Sequence, residues 1–184
     1  MRLIDACTII AGNSIAATRV LAESFFTHHP DGSFTVLVVD DEQRDIAPTH
    51  DLDRRMVWWR LGDLGLDSAE IHRLAAICDV AELSASLKPL FLQVLTRARG
   101  SAVIYLDPDV RVFGSLADMP RLADQHGLVL TPHVTQPIPD DRRWIDAKFV
   151  LAAGGVQPRV RRRRSLGRAL PRVVVAADSA PRAE

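Results

Sequence analysis

The chain of 184 residues has few cysteines, no long hydrophobic run and no net charge. Its two cysteines, Cys7 and Cys78, lack the spacing of a metal or redox site, so we predict two reduced, buried thiols. No stretch of about 18 apolar residues occurs, which argues against a membrane span. Asp5 and Asn13 interrupt the apolar amino-terminal region, which argues against a signal peptide. We therefore expect a cytoplasmic protein.

The balanced net charge conceals two unlike parts of the chain. Residues 156–184 contain eight arginines against two acidic residues, whereas residues 1–155 contain 15 basic and 21 acidic residues. A hydrophobic content of 47% and a charged content of 25% are ordinary for a globular domain. The length suits one domain with an appendage. We interpret residues 1–155 as that domain and residues 156–184 as a separate basic tail.

The first part begins as strand, helix and strand. Residues 3–10 are mostly apolar and predict a strand, and the apolar spacing over 17–25 predicts a helix that stops near His28. Residues 34–39 predict a second buried strand. Short connections between such elements indicate a βαβ unit with a right-handed crossover.

The later pattern is weaker but of the same kind. It predicts a strand at 56–59, a short helix at 69–76 and a helix over 83–95 that restarts at Pro89, with the proline in its first turn. An edge strand at 110–113, a helix at 116–126 and a buried strand at 128–131 follow. The predicted fold class is α/β, with a mostly parallel sheet flanked by helices.

The most informative segment is Ala-Val-Ile-Tyr-Leu-Asp-Pro-Asp at residues 102–109. Its apolar run predicts a strand buried on both faces, and ligands of open α/β sheets bind beyond the carboxyl ends of such strands. Asp107 and Asp109, linked by the stiff Pro108, can hold a hard divalent cation through oxygen ligands. Such a cation would neutralise phosphates, so a nucleoside diphosphate is the first ligand to consider. The alternative is that both aspartates are simply turn formers.

Residues 105–112 resemble the metal-binding motif of nucleotide-sugar-dependent glycosyltransferases with the GT-A fold. Residues 7–13, 21–24, 36–40, 87–89 and 130–133 are also similar to one bacterial branch of that superfamily. The resemblance covers roughly residues 1–155 and implies a GT-A-like, Rossmann-like sheet. It also implies an enzyme that moves a sugar from a nucleoside diphosphate to an acceptor, which could be a glycan, a lipid or a protein. It indicates neither the sugar nor the stereochemical outcome.

The resemblance implies roles around the nucleoside of the donor. Thr8 and Asn13, in and after the first strand, would lie near the nucleoside. Asp40, at the end of the second strand, would bond to the base or the ribose. The alternative for Asp40 is an ordinary carboxylate at a strand end.

The resemblance also implies roles around the diphosphate. Lys88 would approach it as a point charge, the alternative being a solvated lysine at a helix start. Asp107 would lie near the ribose and the cation, and Asp109 would ligate Mn²⁺ or Mg²⁺, a Lewis acid on the leaving diphosphate. No catalytic base is assigned. His133 and residues 140–141 follow a later strand where an acceptor could bind, but a polar loop without function is the favoured interpretation.

The tail shows no helical or strand period that continues the preceding pattern. The similar branch usually continues after a segment like 149–154 with Val-Tyr-Asn-Leu-Gly-Phe, where this chain has Gly-Val-Gln-Pro-Arg-Val at 155–160. One legal codon set for these six residues, GGT GTA CAA CCT CGG GTT, encodes the former when read one base later. We predict a frameshift near Gly155 that truncates the enzyme. Resequencing codons 150–160 tests this, and an intact frame in independent isolates would refute it.

Two other classes of protein stay open. The tetra-arginine run at 161–164 is typical of a nucleic-acid-binding tail, whose affinity would fall steeply with salt, although an out-of-frame tail would have no such partner. A nucleotidyltransferase on a similar sheet is the other class. It would need a glycine-rich basic loop after the first strand, where this chain has only Ala-Gly-Asn-Ser at 11–14.

Overall fold

A computed structural model describes residues 3–40 and 52–131 and the backbone of residues 173–176. The strands in these ranges are β1 (Asp5–Ile10), β2 (Ser33–Val38), β3 (Met56–Trp59), β4 (Val103–Leu106), β5 (Leu128–Leu130) and β6 (Val173–Ala176). The α-helices are α1 (Ile15–His28), α2 (Ser68–Ile77), α3 (Val80–Arg99) and α4 (Met119–His126). Strands alternate with helices over most of this length, as the sequence predicts.

The six strands form one sheet in the order β3-β2-β1-β4-β6-β5. Every pair of neighbours runs parallel, from β3 against β2 to β6 against β5. The predicted α/β class with a parallel sheet is therefore confirmed. The chain winds outward from β1 to β2 and β3, and then returns to place β4 on the other side of β1. The strand order thus reverses between β1 and β4, and open α/β sheets commonly bind ligands at the carboxyl ends of strands at such a point.

Apolar residues cover both faces of the sheet. On one face Ala6 and Ile10 of β1 belong to a core that includes Phe25 of α1. On the other face Cys7 belongs to a core that includes Phe91 of α3. All six residues of β1 are buried, which explains why its sequence is almost continuously apolar rather than alternating.

Two aspartate N-caps set the starts of α2 and α3. Asp67 accepts a hydrogen bond from the Glu70 amide, and the Glu70 carboxylate accepts one from the Asp67 amide in return. Asp79 and Glu82 repeat this reciprocal pair at the start of α3. Gly100 ends α3 with a φ of 66°, a left-handed conformation that glycine adopts without steric cost.

The predicted restart of a helix at Pro89 is wrong, because α3 runs without a break from Val80 to Arg99. Proline lacks an amide hydrogen and therefore cannot bond to the carbonyl of Ala85, four residues earlier. Ala85 and Pro89 both lie on the exposed side of α3, where water can bond to that carbonyl. The helix continues because its opposite side remains packed on the sheet.

The predicted edge strand at 110–113 is also wrong. We name residues 110–118 the strap, since this segment has no regular structure and runs along α1. The amide of Val112 donates a hydrogen bond to the Ser24 hydroxyl of α1 at 2.9 Å, instead of to a neighbouring strand. The amide of Leu116 donates to Nε2 of His29 at 2.9 Å, and α4 begins only at Met119.

The carboxyl-terminal part of the sheet differs from prediction in two ways. β5 is only half-buried, because it lies at the edge of the sheet and pairs with β6 alone. The tail shows no strand period that continues the preceding pattern, yet β6 within it lies between β4 and β5. Three valines followed by an alanine have high β propensity and suit such an interior position. The frameshift near Gly155 stays a prediction. The boundary near residue 155 and the rest of the tail lie outside the described residues.

Candidate functional site

Four of the six predicted site residues lie at one edge of the sheet. Asn13 is in the 3-10 turn Gly12–Ser14, which follows β1, and Asp40 follows β2. Asp107 and Asp109 follow β4. Because the strands are parallel, these polar residues lie at the carboxyl edge of the sheet, where the strand order reverses between β1 and β4.

The aspartate pair lies in a tight turn. The amide of Val110 donates a hydrogen bond to the carbonyl oxygen of Asp107 at 3.2 Å, which closes a four-residue turn with Pro108 at its second position. Proline suits that position because its ring fixes φ near the value that the turn requires. Asp109 is exposed, whereas the side chain of Asp107 is only 20% exposed.

Lys88 contacts this turn from α3. Its Nζ lies 3.4 Å from Oδ1 of Asp107 and 4.1 Å from the ring centroid of Tyr105, and its side chain is only 11% exposed. The alternative of a solvated lysine is therefore wrong. Burial raises the pKa of Tyr105 well above its usual value, and the negative charge of Asp107 raises it further. Among the described residues, the side chain that holds the carboxylate of Asp107 is therefore Lys88, which in turn packs over the ring of Tyr105.

The two aspartates consequently differ in charge compensation. Lys88 offsets the charge of Asp107, whereas Asp109 has no ion pair in the part of the chain that the structure describes. Carboxylate oxygens are the ligands that Mg²⁺ and Mn²⁺ prefer, so the donor atoms fit the implied cation. No group of three or more His, Cys, Asp or Glu side chains that could hold a metal occurs within the described ranges. Within the described ranges, a cation at this turn would therefore have two carboxylates and would need further oxygen ligands.

Asp40 connects the ends of two strands. Its Oδ1 accepts a hydrogen bond of 2.7 Å from the amide of Gly12, in the turn that carries Asn13. This contact supports the alternative that Asp40 is a structural carboxylate, although its exposed position leaves it accessible to a ligand. Asn13 is exposed as well, and its Oδ1 accepts a hydrogen bond from the Ser14 hydroxyl at 3.2 Å.

Thr8 lies apart from the carboxyl edge. It is fully buried in the middle of β1, opposite Val36 of β2. Its hydroxyl has no hydrogen-bond partner within the part of the chain described. The proximity to a nucleoside that the resemblance implies for Thr8 has no counterpart in this placement, and its role stays a prediction.

His29 and Ser24 are two polar residues whose contacts the sequence pattern does not reveal. The prediction that the first helix stops near His28 is confirmed, but His29 is also buried and accepts a hydrogen bond from the strap. Burial, and secondarily the charge of His28, lower the pKa of His29. Ser24 occupies the apolar side of α1, where its helical spacing suggests only a small core residue.

The predictions for the thiols, the membrane and the acceptor loop have different outcomes. Both cysteines are free; Cys7 is buried as predicted, whereas Cys78 is half-exposed. No helix in the described ranges has the length and apolar character needed to cross a bilayer, and the cytoplasmic location stays a prediction. His133 and residues 140–141 lie outside the described residues.

Comparisons with models of protein families, with curated proteins and with solved structures found no match to this chain. The likeness to GT-A glycosyltransferases therefore depends on the motifs quoted above. The parallel sheet and its flanking helices agree with the coarser class of that fold.

Proposed function

We propose that the domain binds a nucleoside-diphosphate sugar together with Mn²⁺ or Mg²⁺, as the donor site of a glycosyltransferase. The observation that carries this proposal is the turn at residues 107–110. It presents Asp107 and Asp109 at the carboxyl edge, beside the point where the strand order reverses. The sugar and the acceptor are not part of the proposal.

The turn and Lys88 beside it would have different parts in binding the diphosphate. Lys88, which packs over the ring of Tyr105, holds the carboxylate of Asp107, and its ammonium adds a positive charge beside the place where phosphates would lie. The exposed Asp109 supplies the negative charge that attracts a cation. When bound, the cation would stabilise the negative charge that develops on the leaving nucleoside diphosphate.

This division of charge makes the cation and the nucleotide interdependent. With Asp107 offset by Lys88, the protein alone supplies little net negative charge to a divalent ion. Phosphate oxygens would complete the oxygen shell that two carboxylates leave open. We therefore expect each ligand to bind weakly alone and the pair to bind tightly, which is positive coupling between two ligands.

Calorimetric titration tests the proposal with UDP, GDP and TDP as probes, each with and without Mn²⁺. We expect Mn²⁺ to strengthen the binding of at least one nucleotide. Asp109→Asn should weaken the Mn²⁺-dependent binding by at least roughly tenfold, because it removes a charged ligand.

The matched control is Asp118→Asn. Asp118 is also an exposed aspartate, 79% exposed, and its carboxylate lies 3.5 Å from Arg121 rather than in the turn. This variant should bind like the wild type. The proposal fails if none of the three nucleotides binds with Mn²⁺, or if both variants lose affinity equally.

A further inference from the structure

We propose that Ser24 is a positioning residue for the turn at residues 107–110, although it lies on α1, well inside the core. This inference rests on the proposed function, because the quantity that Ser24 would control is the placement of Asp109 for a cation. The contacts that carry it are the hydrogen bonds between α1 and the strap.

Asp109 lies between two fixed points of the backbone. On one side, Asp107 directly follows β4, whose four residues are buried. On the other side, the amide of Val112 donates to the buried Ser24 hydroxyl at 2.9 Å. Only Val110 and Arg111 separate Asp109 from that second anchor, so the freedom of the turn depends on how firmly Val112 is held.

The hydroxyl of Ser24 is well suited to hold Val112. It donates its single hydrogen to the Leu21 carbonyl at 2.7 Å, so its oxygen is left to accept the hydrogen bond from Val112. The side chain of Val112 is buried in the core that contains Phe25. Its amide therefore has no ready access to water, and a buried amide without a partner is costly.

A second anchor holds the distal part of the strap. Nε2 of His29 accepts a hydrogen bond from the Leu116 amide, and the His29 ring packs on Phe25 with centroids 5.2 Å apart. The strap thus has two attachments to α1, of which Ser24 is nearer to the aspartates. Loss of the Ser24 bond should loosen the turn without detaching the whole strap.

The test compares Ser24→Ala with Thr27→Ala. Thr27 is a matched control because its exposed hydroxyl also bonds to a carbonyl of α1, at 2.8 Å, but contacts no strap residue. The measurement is the binding of Mn²⁺ in the presence of UDP, GDP or TDP, whichever of the three the wild type binds, and the loss of the free-ion electron paramagnetic resonance signal reports it. We expect Ser24→Ala to raise the Kd roughly two- to tenfold with unchanged stoichiometry, and Thr27→Ala to leave the Kd unchanged.

Stoichiometry separates positioning from unfolding. A purely structural defect would lower the number of binding sites per chain and leave the Kd of the folded fraction unchanged. Ser24→Cys keeps the shape of the side chain, but its thiol is a weaker hydrogen-bond acceptor, so this variant should give an intermediate Kd. It replaces Ser24→Ala in the test if Ser24→Ala does not fold.

The outcomes distinguish this inference from the proposed function. If the wild type binds no Mn²⁺ with UDP, GDP or TDP, both are overturned. If the wild type binds and the two Ser24 variants share its Kd, or lose only stoichiometry, the positioning role alone is refuted. A raised Kd at constant stoichiometry, absent from Thr27→Ala, supports it.

Discussion

Thr8→Val should stabilise the protein. Thr8 is fully buried in β1, and its hydroxyl lacks a partner within the described residues. Valine has nearly the same shape, is equally β-branched and replaces the hydroxyl with a methyl group. The substitution therefore removes a buried polar group without a hydrogen bond and adds apolar contact in its place.

The magnitude follows from the cost of burying a hydroxyl without a partner, which is about 1–3 kcal/mol in mutational data. Because a methyl group is slightly larger than a hydroxyl, part of this gain will be lost to repacking. We expect a net gain of about 1–2 kcal/mol in the free energy of unfolding. For a chain of this length that gain corresponds to a rise in Tm of roughly 2–8 °C. Urea unfolding should show a higher midpoint with an unchanged slope.

Thr18→Val is the matched control. Thr18 is equally buried, but its hydroxyl donates to the Ser14 carbonyl at 3.0 Å, so its replacement should be neutral or destabilising by about 1 kcal/mol. A Thr8→Val variant that is no more stable than the wild type, or that matches Thr18→Val, would refute the reasoning.

Two further predictions concern buried titratable groups. Burial lowers the pKa of His29 below its usual 6.5, so just below that pH the unfolded chain binds more protons than the folded protein does. The contribution of His29 to stability is therefore full above about pH 6.5. It should fall as the pH decreases through the folded pKa. His29→Phe should remove this part of the pH dependence in urea unfolding, and an unchanged dependence would contradict the assignment. Burial raises the pKa of Cys7, so a thiol reagent should modify Cys78 quickly and Cys7 only on unfolding; two fast thiols in the native protein would contradict this.

The sequence predicts the parallel sheet well because a strand that is buried on both faces needs a run of mostly apolar residues. The strands β1, β2 and β4 are buried and mostly apolar, and the polar residues that follow them lie at one edge once the strands are parallel. The pairing of Asp107 with Lys88 needs tertiary information, since 19 residues separate them. The resemblance to glycosyltransferases predicts that both residues lie near the diphosphate, but it does not predict the ion pair between them.

The starts of two helices can be predicted from the sequence, but not from the apolar period alone. Asp67 with Glu70, and Asp79 with Glu82, have the spacing of a capping box and would have fixed the starts of α2 and α3. The strap gave a misleading signal. Its alternation reflects one buried valine against α1 rather than a strand, and the hydroxyl that bonds to it is 88 residues away.

The position of β6 has a consequence for how the sheet assembles. β5 joins the sheet only through β6, which separates it from β4. After β5, residues 131–172 must therefore be synthesised before β6, the strand that attaches β5 to the sheet, is available. Until then β4 presents an unpaired edge, open to association with other chains. The first four strands can pair early, whereas the other two join the sheet only once β6, the last strand in the sequence, has been synthesised.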